Sequence, residues 1–282
     1  MRASRLLGAI LLVALGCALV DALLVEPNTF KVVRVEVVVS GVDPRLSGLT
    51  IAHLSDLHLR GLGAREEAVI RAVNEAGADL VVVTGDLIDR RGCASLAVEF
   101  VRRLRGRLGV YVVFGNWDHW SGVDLERFKR ELEEAGAKVL VNEYVVLEYN
   151  GTEFVLAGVD DPHTMRDDVD RAVPRGASGL VVLLAHSPEV VDRAVGAGVT
   201  LVLCGHTHGG QVVLPLIGPP FLPVSAKYRR YSYGLFRVNG TWMYVSRGLG
   251  TSGLPVRFMC PPEVALIRVV VEGRALASGE QI

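Results

Sequence analysis

Apolar residues in this chain form two kinds of pattern, and the first is a long run near the amino terminus. Leu6 to Val20 are apolar or small, Asp21 interrupts the run, and Ala22 to Val25 continue it. Counted to Val20 the predicted helix is about 22 Å long, and counted to Val25 it reaches about 30 Å, the thickness of a hydrocarbon core. The run therefore predicts a helix that engages a bilayer.

Basic residues lie on one side of this run only. Arg2 and Arg5 precede it, and no cleavage site followed by a polar start is obvious after it. Because basic flanks stay in the cytoplasm, an uncleaved helix places the rest of the chain on the extracytoplasmic side. We expect residues 1–28 to be a membrane anchor or signal segment with its linker, and residues 29–282 to form one domain. Secretion after signal cleavage is the alternative.

The second pattern is a series of short valine-rich runs. Lys31–Val39 alternates valine with charged residues, which predicts a strand with one wet face. Five later runs are apolar throughout, which predicts strands buried on both faces. These runs are Leu49–Leu54, Leu80–Val83, Val110–Phe114, Leu180–Ala185 and Val199–Cys204.

Segments with helical spacing separate these runs, and a glycine stands after each of them where a C-terminal cap belongs. The predicted helices are Arg65–Ala76, Ala94–Leu108, Leu125–Ala135 and Pro188–Ala197. This β-α-β alternation predicts an α/β fold. From about Gln211 onward the helices stop, and we expect short strands to close the same domain. These late strands are Tyr231–Val238, Thr241–Val245 and Glu263–Val271.

Composition excludes several classes of protein. The 282 residues include 30 basic and 31 acidic side chains, so the formal net charge is -1. A surface that binds a phosphate backbone must be basic, and we therefore expect no nucleic-acid partner. Half of the residues are hydrophobic, which excludes a disordered chain. Nothing in the composition predicts a protein partner.

Polar side chains follow each of the five buried runs at the point where it ends. In open α/β sheets ligands bind beyond the carboxyl ends of the strands, so we expect the five ends to meet at one crevice. Asp, Asn and His all ligate divalent transition metals, and the five ends together predict a shared metal centre. The ends carry Asp56 and His58, Asp86 and Asp89, Asn116 and Asp118, His186, and His206 and His208.

The order of these motifs, D-x-H, G-D-x-x-D, G-N-x-D, H and G-H-x-H, resembles the calcineurin-like metallophosphoesterases. Residues 209–211, 246–250 and 255–257 look like the membrane-associated bacterial and archaeal phosphodiesterase subgroup. The resemblance implies a four-layer α-β-β-α sandwich, preceded here by one N-terminal transmembrane or signal helix. It also implies a metal-dependent phosphoester hydrolase, either a phosphodiesterase or a pyrophosphatase.

The resemblance further implies two divalent metal ions, each Mn, Fe, Zn or Co, with Asp86 bridging them. Such a pair generates hydroxide near neutral pH and neutralises charge on the phosphate oxygens. Asp89 and Asp118 are expected to orient the ligands, and turn or cap residues are the alternative. The remaining ligands carried over by motif are Asp56, His58 and His208 for one ion and Asn116, His186 and His206 for the other.

One position departs from the family pattern. The third motif usually reads G-N-H-D or G-N-H-E, in which the His protonates the leaving group, whereas this chain has Trp117. His119, two residues further on, is a candidate for the missing general acid, and a solvent-exposed loop histidine is the alternative. Arg247 and Arg257 could clamp a phosphate bidentately or be ordinary surface arginines. The polar turn at 160–163 follows a strand and has no assigned role.

Two functions of different class remain open. The first is a hydrolase anchored on the outer face of a membrane and acting on an envelope phosphoester, for example a lipid-linked or nucleotide-linked one. The second is a non-catalytic scaffold or binding protein on the same fold, which the loss of histidine at Trp117 favours and the intact ligand set opposes. A protein phosphatase is a third possibility, which the extracytoplasmic orientation opposes.

Overall fold

The computed structural model describes residues 2–272, and its elements follow the predicted β-α-β alternation. The strands are β1 (Lys31–Val39), β2 (Thr50–Leu54), β3 (Leu80–Thr84), β4 (Val110–Val113), β5 (Ala137–Val139), β6 (Glu143–Tyr149), β7 (Thr152–Gly158), β8 (Val181–Leu184), β9 (Leu201–Cys204), β10 (Gly234–Val238), β11 (Thr241–Val245) and β12 (Glu263–Val271). The α-helices are α1 (Arg2–Val20), α2 (Ala64–Ala76), α3 (Ala94–Arg102), α4 (Asn116–Trp120), α5 (Leu125–Glu134), α6 (Val169–Ala172) and α7 (Val191–Gly196).

The strands form two six-stranded sheets, in the orders β1-β12-β2-β3-β4-β5 and β10-β11-β9-β8-β7-β6. Most neighbours are parallel, as the intervening helices require. The antiparallel pairs are β12 with β2, β10 with β11, and β6 with β7. The chain enters the first sheet at its edge through β1 and returns beside it through β12, so the late strands complete both sheets.

The two sheets pack face to face, and helices cover their outer faces. Ile51 and Val82 of the first sheet share a buried cluster with Val182 and Leu201 of the second. Neighbouring residues of the same strands point the other way, because side chains alternate across a strand. Val81 accordingly packs in a cluster with residues of α2, α3 and α5, while a third cluster joins the second sheet to α6 and α7. This arrangement confirms the four-layer sandwich.

Two differences from the sequence prediction have local causes. Helix α3 ends at Arg102 rather than at Leu108, because the side chain of Asn74 binds the chain beyond it. The Asn74 amide donates to the Arg103 carbonyl and its Oδ1 accepts from the Arg105 amide, each at 2.9 Å. The bounds of strands β5 to β7 were not predicted, since β5 has only three residues and the edge strand β6 carries Tyr144 and Val146 at exposed positions, so its sequence does not alternate polar with apolar residues.

The N-terminal segment Arg5–Asn28 comprises 24 helical residues whose most apolar 18-residue stretch has a mean hydropathy of 2.5, and it is long and apolar enough to cross a membrane. Only 6% of the most apolar stretch is buried against the rest of the chain. Its last turns change to a π-helix over Asp21–Val25 and a 3-10 helix over Glu26–Asn28. There the carboxylate of Glu26 accepts hydrogen bonds from the amides of Met259 and Cys260, which attaches the helix end to a loop beyond β11.

Candidate metal centre

The five polar strand ends meet at one place between the two sheets. Strands β2, β3 and β4 of the first sheet and β8 and β9 of the second all point their carboxyl ends toward it. All seven predicted ligand side chains are buried there, with relative exposures of 4% or less. The residues brought together are Asp56, His58, Asp86, Asn116, His186, His206 and His208.

These side chains fall into two overlapping groups whose ligand atoms lie within 4.8 Å of one another. The first group contains Asp56, His58, Asp86 and His208, and the second contains Asp86, His186 and His206. Asn116 joins the second group, since its Oδ1 lies 3.0 Å from the Nε2 of His186. Asp86 is common to both groups.

The spacing of the donor atoms fits metal ions. Two ligand atoms bound at about 2.1 Å from one ion are about 3.0 to 3.4 Å apart for ordinary coordination angles. The Nε2 atoms of His58 and His208 are 3.1 Å apart, and the Nε2 of His208 lies 3.4 Å from Asp56 Oδ1. In the second group the Nε2 of His186 lies 3.3 Å from Asp86 Oδ2. Nitrogen and carboxylate donors converging in this way are the donor set of divalent transition metals.

Three of the four ligand histidines have a second ring nitrogen held by an oxygen atom, whereas the Nδ1 of His208 has no hydrogen-bond partner within residues 2–272. The Nδ1 of His58 is hydrogen-bonded to Asp89, and the Nδ1 of His186 lies 2.9 Å from the carbonyl oxygen of Thr84. The Nε2 of His206 lies 2.8 Å from the carbonyl oxygen of Pro223. Such partners determine the tautomer and orientation of a metal-binding imidazole.

Asp118 supports the loops rather than the ions. Its carboxylate accepts hydrogen bonds from the amides of Leu87 and Gly115, each at 2.9 Å, and from Ile88 at 3.2 Å. It thereby connects the turn that carries Asp86 to the turn after β4. Burial, together with the nearby Asp86 charge, raises the pKa of Asp118 to about 7.

Five of the ligands have backbone conformations that side chains rarely adopt. The φ angles are 52° at Asp56, 43° at His58, 52° at Asp86, 70° at His206 and 50° at His208. Residues with positive φ other than glycine are uncommon, and when they cluster they mark sites where function outweighs local stability. The strain is held by neighbouring turns, because the amide of Asp56 donates to the Gly85 carbonyl and that of His58 to the Asp86 carbonyl.

Burial and mutual proximity shift the pKa values of the ligand side chains in both directions. Burial by itself disfavours a charged Asp86, but the adjacent His186 holds the pKa of that carboxyl at about 2. Burial lowers the pKa of His206 to about 3 and lowers the pKa of His208 well below its ordinary value. Burial raises the pKa of Asp56. Burial by itself disfavours protonation of His58 and His186, but the neighbouring carboxylates raise the pKa of His58 and raise that of His186 well above its ordinary value. Metal binding would therefore release protons from these two imidazoles, since a ring nitrogen must be unprotonated to ligate a metal.

A cavity of about 560 Å³ opens directly over these ligands. Asp86, Asn116, His206 and His208 form its polar floor. The other walls are largely apolar, and they are lined by Trp117, Trp120, Val212, Pro220, Phe221, Pro223, Leu254 and Val256. Trp117, which stands where the family has histidine, thus faces the space in which a substrate binds.

The geometry does not favour His119 as the general acid. Its Nε2 is 2.7 Å from Asp160 Oδ1, its side chain is 9% exposed, and it does not line the cavity. His163, from the polar turn without an assigned role, does line it and lies against His206 with 4.5 Å between ring centroids. A hydrogen bond with Glu189 raises the pKa of His163. The signal that could have revealed His163 is that its turn follows strand β7, as the ligand turns follow theirs.

Arg257 is buried and binds the main chain, which disagrees with the predicted phosphate contact. It is 0% exposed, and its guanidinium donates to the carbonyl oxygens of Arg247, Gly248, Gly250 and Cys260. This set of bonds holds together the loops after β11. Arg247 is also occupied, since its Nη1 lies 2.8 Å from Glu263 Oε2 and its guanidinium stacks on Tyr233 at 4.1 Å. Neither arginine lines the cavity.

A buried cluster of Asp, Asn and His ligands at the joined strand ends of a four-layer sandwich defines a metallophosphoesterase. The family model for calcineurin-like phosphoesterases matches residues 49–210, the span from β2 to the last ligand turn. The chain belongs to this family, as its motifs predicted, and it is a hydrolase acting on phosphoester bonds.

Curated relatives are similar in sequence to this chain over most of its length. It is 32% identical over 248 residues to an uncharacterized metallophosphoesterase, YkuE, of Bacillus subtilis, with 86% of each protein covered. It is 31% identical over 251 residues to the phosphodiesterase YaeI of Escherichia coli, covering 87% of this chain and 90% of that protein. A transmembrane protein with a metallophosphoesterase domain from Danio rerio is 34% identical over 256 residues, which is 84% of this chain and 56% of that protein.

Proposed function

We propose that this chain is a phosphodiesterase with a dinuclear metal centre, anchored in a membrane by α1 and acting on an envelope phosphoester. The observation that carries the proposal is the position of Asp86 in both groups of converging ligand atoms. A carboxylate shared in this way supports a two-metal hydrolase, and the name of the Escherichia coli relative supports a diester over a pyrophosphate substrate.

When bound, two divalent ions supply hydroxide near neutral pH and offset the charge that develops on the phosphate oxygens. Asp56, His58 and His208 would hold one ion, and Asn116, His186 and His206 would hold the other. The ligands are positioned before substrate arrives, because the chain itself restrains them. The amide of Trp117 donates to Asp86 Oδ1 at 2.8 Å, and the amide of His206 donates to Asp56 at 3.0 Å.

The same walls that bind the substrate exclude water from it. The aromatic rings of Trp117 and Trp120 meet edge to face, with centroids 5.8 Å apart, and both line the cavity above Asp86. Removing water from this space strengthens the attraction between the phosphate group and its positively charged surroundings. Apolar rings also leave room for a leaving group larger than a simple alcohol.

Anchoring rests on α1 and on the basic residues that precede its apolar run. The helix is long enough to cross a bilayer, and a relative from Danio rerio is named as a transmembrane protein. Arg2 and Arg5 favour a cytoplasmic amino terminus and an extracytoplasmic domain. Protease added outside intact spheroplasts is therefore expected to digest the domain, whereas protection until lysis would contradict this orientation.

The enzymatic part of the proposal is tested with the full-length protein in detergent. We expect bound transition metal near two equivalents and hydrolysis of bis(4-nitrophenyl) phosphate. Asp86→Asn should lower turnover by at least about 100-fold, because it weakens both sites at once. Asp170→Asn is the matched control, since Asp170 is exposed on α6 and should leave both quantities unchanged. Absence of bound metal, or turnover that survives Asp86→Asn, would favour the scaffold alternative.

A further inference from the structure

Five large apolar side chains project into solvent from two loops beside the metal centre. The most exposed are Leu216 at 108% and Ile217 at 74% on the first loop, and Leu254 at 71% on the second. Exposed apolar groups that cluster in this way mark an interaction surface rather than ordinary surface scatter. We refer to the five as the apolar rim, which consists of Leu216, Ile217, Phe221, Leu254 and Met259.

The apolar rim continues into the cavity above the metal ligands. Phe221 and Leu254 belong to the rim and also line the cavity, and they share its lining with the ligands Asp86 and His206. One cavity therefore joins polar metal ligands to apolar side chains that are exposed at the surface. A ligand that matches both features carries a phosphate group at one end and hydrocarbon at the other.

Hydrogen bonds connect the rim to the membrane helix. The amide of Arg257 donates to the Ala22 carbonyl at 2.9 Å, and the amide of Met259 donates to Glu26 Oε2 at 2.9 Å. The amide of Phe258 donates to the Gln211 carbonyl at 2.8 Å, which joins the second rim loop to the start of the first. The exposed end of the helix, the two loops and the mouth of the cavity thus form one continuous surface.

The hydrogen bond between Arg257 and Ala22 determines how deep this surface lies relative to the bilayer. Ala22 lies six residues before the end of the apolar segment Arg5–Asn28, which is about 9 Å of helix. When that segment spans a bilayer, the backbone bonded to Ala22 lies at the level of its last turns. Leu254 and Met259, which flank this backbone, then lie where hydrocarbon meets the headgroups.

We propose that the apolar rim inserts into the surface of the bilayer and that the cavity takes a phosphoester carrying a hydrocarbon chain, drawn directly from the membrane. The phosphate lies over Asp86 and His206, and the chain lies along Phe221 and Leu254 toward the lipid. This inference rests on the proposed anchoring and hydrolysis. In the reaction, water adds across one P–O bond, its oxygen stays on phosphorus, and the leaving group takes up a proton or departs as the anion.

The substrate class is tested with 4-nitrophenyl alkyl phosphates of increasing chain length, using the full-length protein in lipid nanodiscs. We expect kcat/KM for the dodecyl ester to exceed that for the methyl ester at least tenfold. Part of this gain comes from partition of the probe into the bilayer, so the decisive quantity is the dodecyl-to-methyl ratio in rim variants. Leu254→Ser and Phe221→Ser should each lower that ratio at least fivefold.

Val146→Ser is the matched control, because Val146 is 51% exposed on β6, outside the cavity lining. It should keep the wild-type ratio within twofold. If the rim variants keep that ratio as well, the proposed chain site is excluded. If no ester is hydrolysed, including the methyl ester, the proposed hydrolase function fails, and the insertion of the rim is then judged by the following measurement alone.

Insertion is measured without any reaction. Ile217→Trp places an indole on the rim, and Val146→Trp places one on the remote sheet edge, both in nanodiscs of brominated phosphatidylcholine. After subtraction of the wild-type signal, we expect more than half of the added fluorescence of Ile217→Trp to be quenched and less than a tenth of that of Val146→Trp. Equal quenching of the two tryptophan variants would overturn the proposal. A rim covered by a second copy of the chain would overturn it as well, and light scattering would reveal this as an oligomer that Ile217→Ser loses.

Discussion

At the scale of single residues, the structure separates side chains that look equivalent along the chain. His119 in α4 and His163 on the turn after β7 both lie near the ligands, yet His119 is bonded to Asp160, and of the two only His163 lines the cavity. Arg257 likewise differs from a surface arginine that could bind phosphate, because it is buried and its guanidinium donates to main-chain carbonyl oxygens. Proximity to a motif in sequence therefore does not determine which side chain reaches the substrate.

The two histidines should differ in their effect on catalysis. We expect His119→Ala to retain turnover within about threefold on diesters with poor leaving groups, because a general acid typically contributes about 100-fold or more. His163→Ala should lower kcat/KM at least tenfold, because it removes a wall of the cavity beside His206. The measurement is steady-state hydrolysis of both variants at equal metal content. A loss of 100-fold in His119→Ala alone would restore His119 as the acid.

A buried histidine away from the metal centre should make stability depend on pH. Burial lowers the pKa of His53 to about 3, and its Nδ1 has no hydrogen-bond partner within residues 2–272. The unfolded chain binds a proton near pH 6.5 and the folded chain does not, so stability is lost as pH falls below that value. Between pH 7 and pH 5 the loss from this group is about 2 kcal/mol.

His53→Gln isolates this contribution, because glutamine does not titrate and its amide can still reach Thr84, the partner of the His53 ring at 2.7 Å. Urea unfolding at pH 7 and pH 5 should show that the wild type loses about 2 kcal/mol more than the variant. Equal losses in the two proteins would mean that other groups account for the acid sensitivity.

At the scale of elements, each ligand depends on a tight turn after a buried strand. The turn after β9 passes so close to the turn after β2 that a Cβ at Gly205 would overlap Ser55 Oγ and Asp56 Oδ2. A Cβ at Gly115 would come within 2.6 Å of the Asp86 amide nitrogen. Glycine is needed at both positions because two turns from different strands occupy the same small space.

Gly205→Ala should therefore damage the metal centre without any change to a ligand. The added methyl group must displace Asp56, and we expect metal affinity and turnover to fall about 100-fold. Gly196→Ala is the control, since within the described part of the chain no atom lies within 4 Å of the Cβ it adds to α7. Metal content and turnover are measured on both variants. A Gly205→Ala protein with full metal content would contradict the requirement for glycine in the turn after β9.

At the scale of the whole molecule, the metal centre joins the two sheets. Asp86 follows a strand of one sheet, whereas His186 and His206 follow strands of the other. Ions bound between them oppose the separation of the sheets, and in their absence two buried carboxylates, Asp56 and Asp86, repel one another. The burial and charge of this cluster link metal binding to the stability of the fold.

Removal of metal should therefore destabilise the protein. By linkage, each ion present at about 100 times its dissociation constant contributes about 2.7 kcal/mol, and the loss of one such ion corresponds to a fall in Tm of about 5 to 10 °C for a chain of this size. Calorimetry before and after treatment with a chelator measures this shift. In Asp86→Asn the chelator should have a much smaller effect, and an equal fall in both proteins would point to chelator action elsewhere.

Much of the fold could be predicted from sequence because its signals are local. The apolar runs of β2, β3, β4, β8 and β9 are buried on both faces, and their composition alone distinguishes them from helices. The bounds of β5 to β7 could not be predicted, because β5 is only three residues long and β6 has Tyr144 and Val146 at exposed positions, so its burial alternates although its sequence does not. The end of α3 could not be predicted, because it depends on the side chain of Asn74, which belongs to another helix.

The sequence by itself determined which residue types follow each buried strand, and hence the family and the ligand candidates. It also determined the long apolar N-terminal helix, since all of these signals lie in adjacent positions of the chain. The tertiary structure decided that the five strand ends come from two sheets and meet at Asp86, that His163 rather than His119 faces the cavity, and that Arg257 binds main chain. It also decided that the apolar rim adjoins the apolar N-terminal helix. These outcomes depend on contacts between segments far apart in the chain, and no local pattern specifies such contacts.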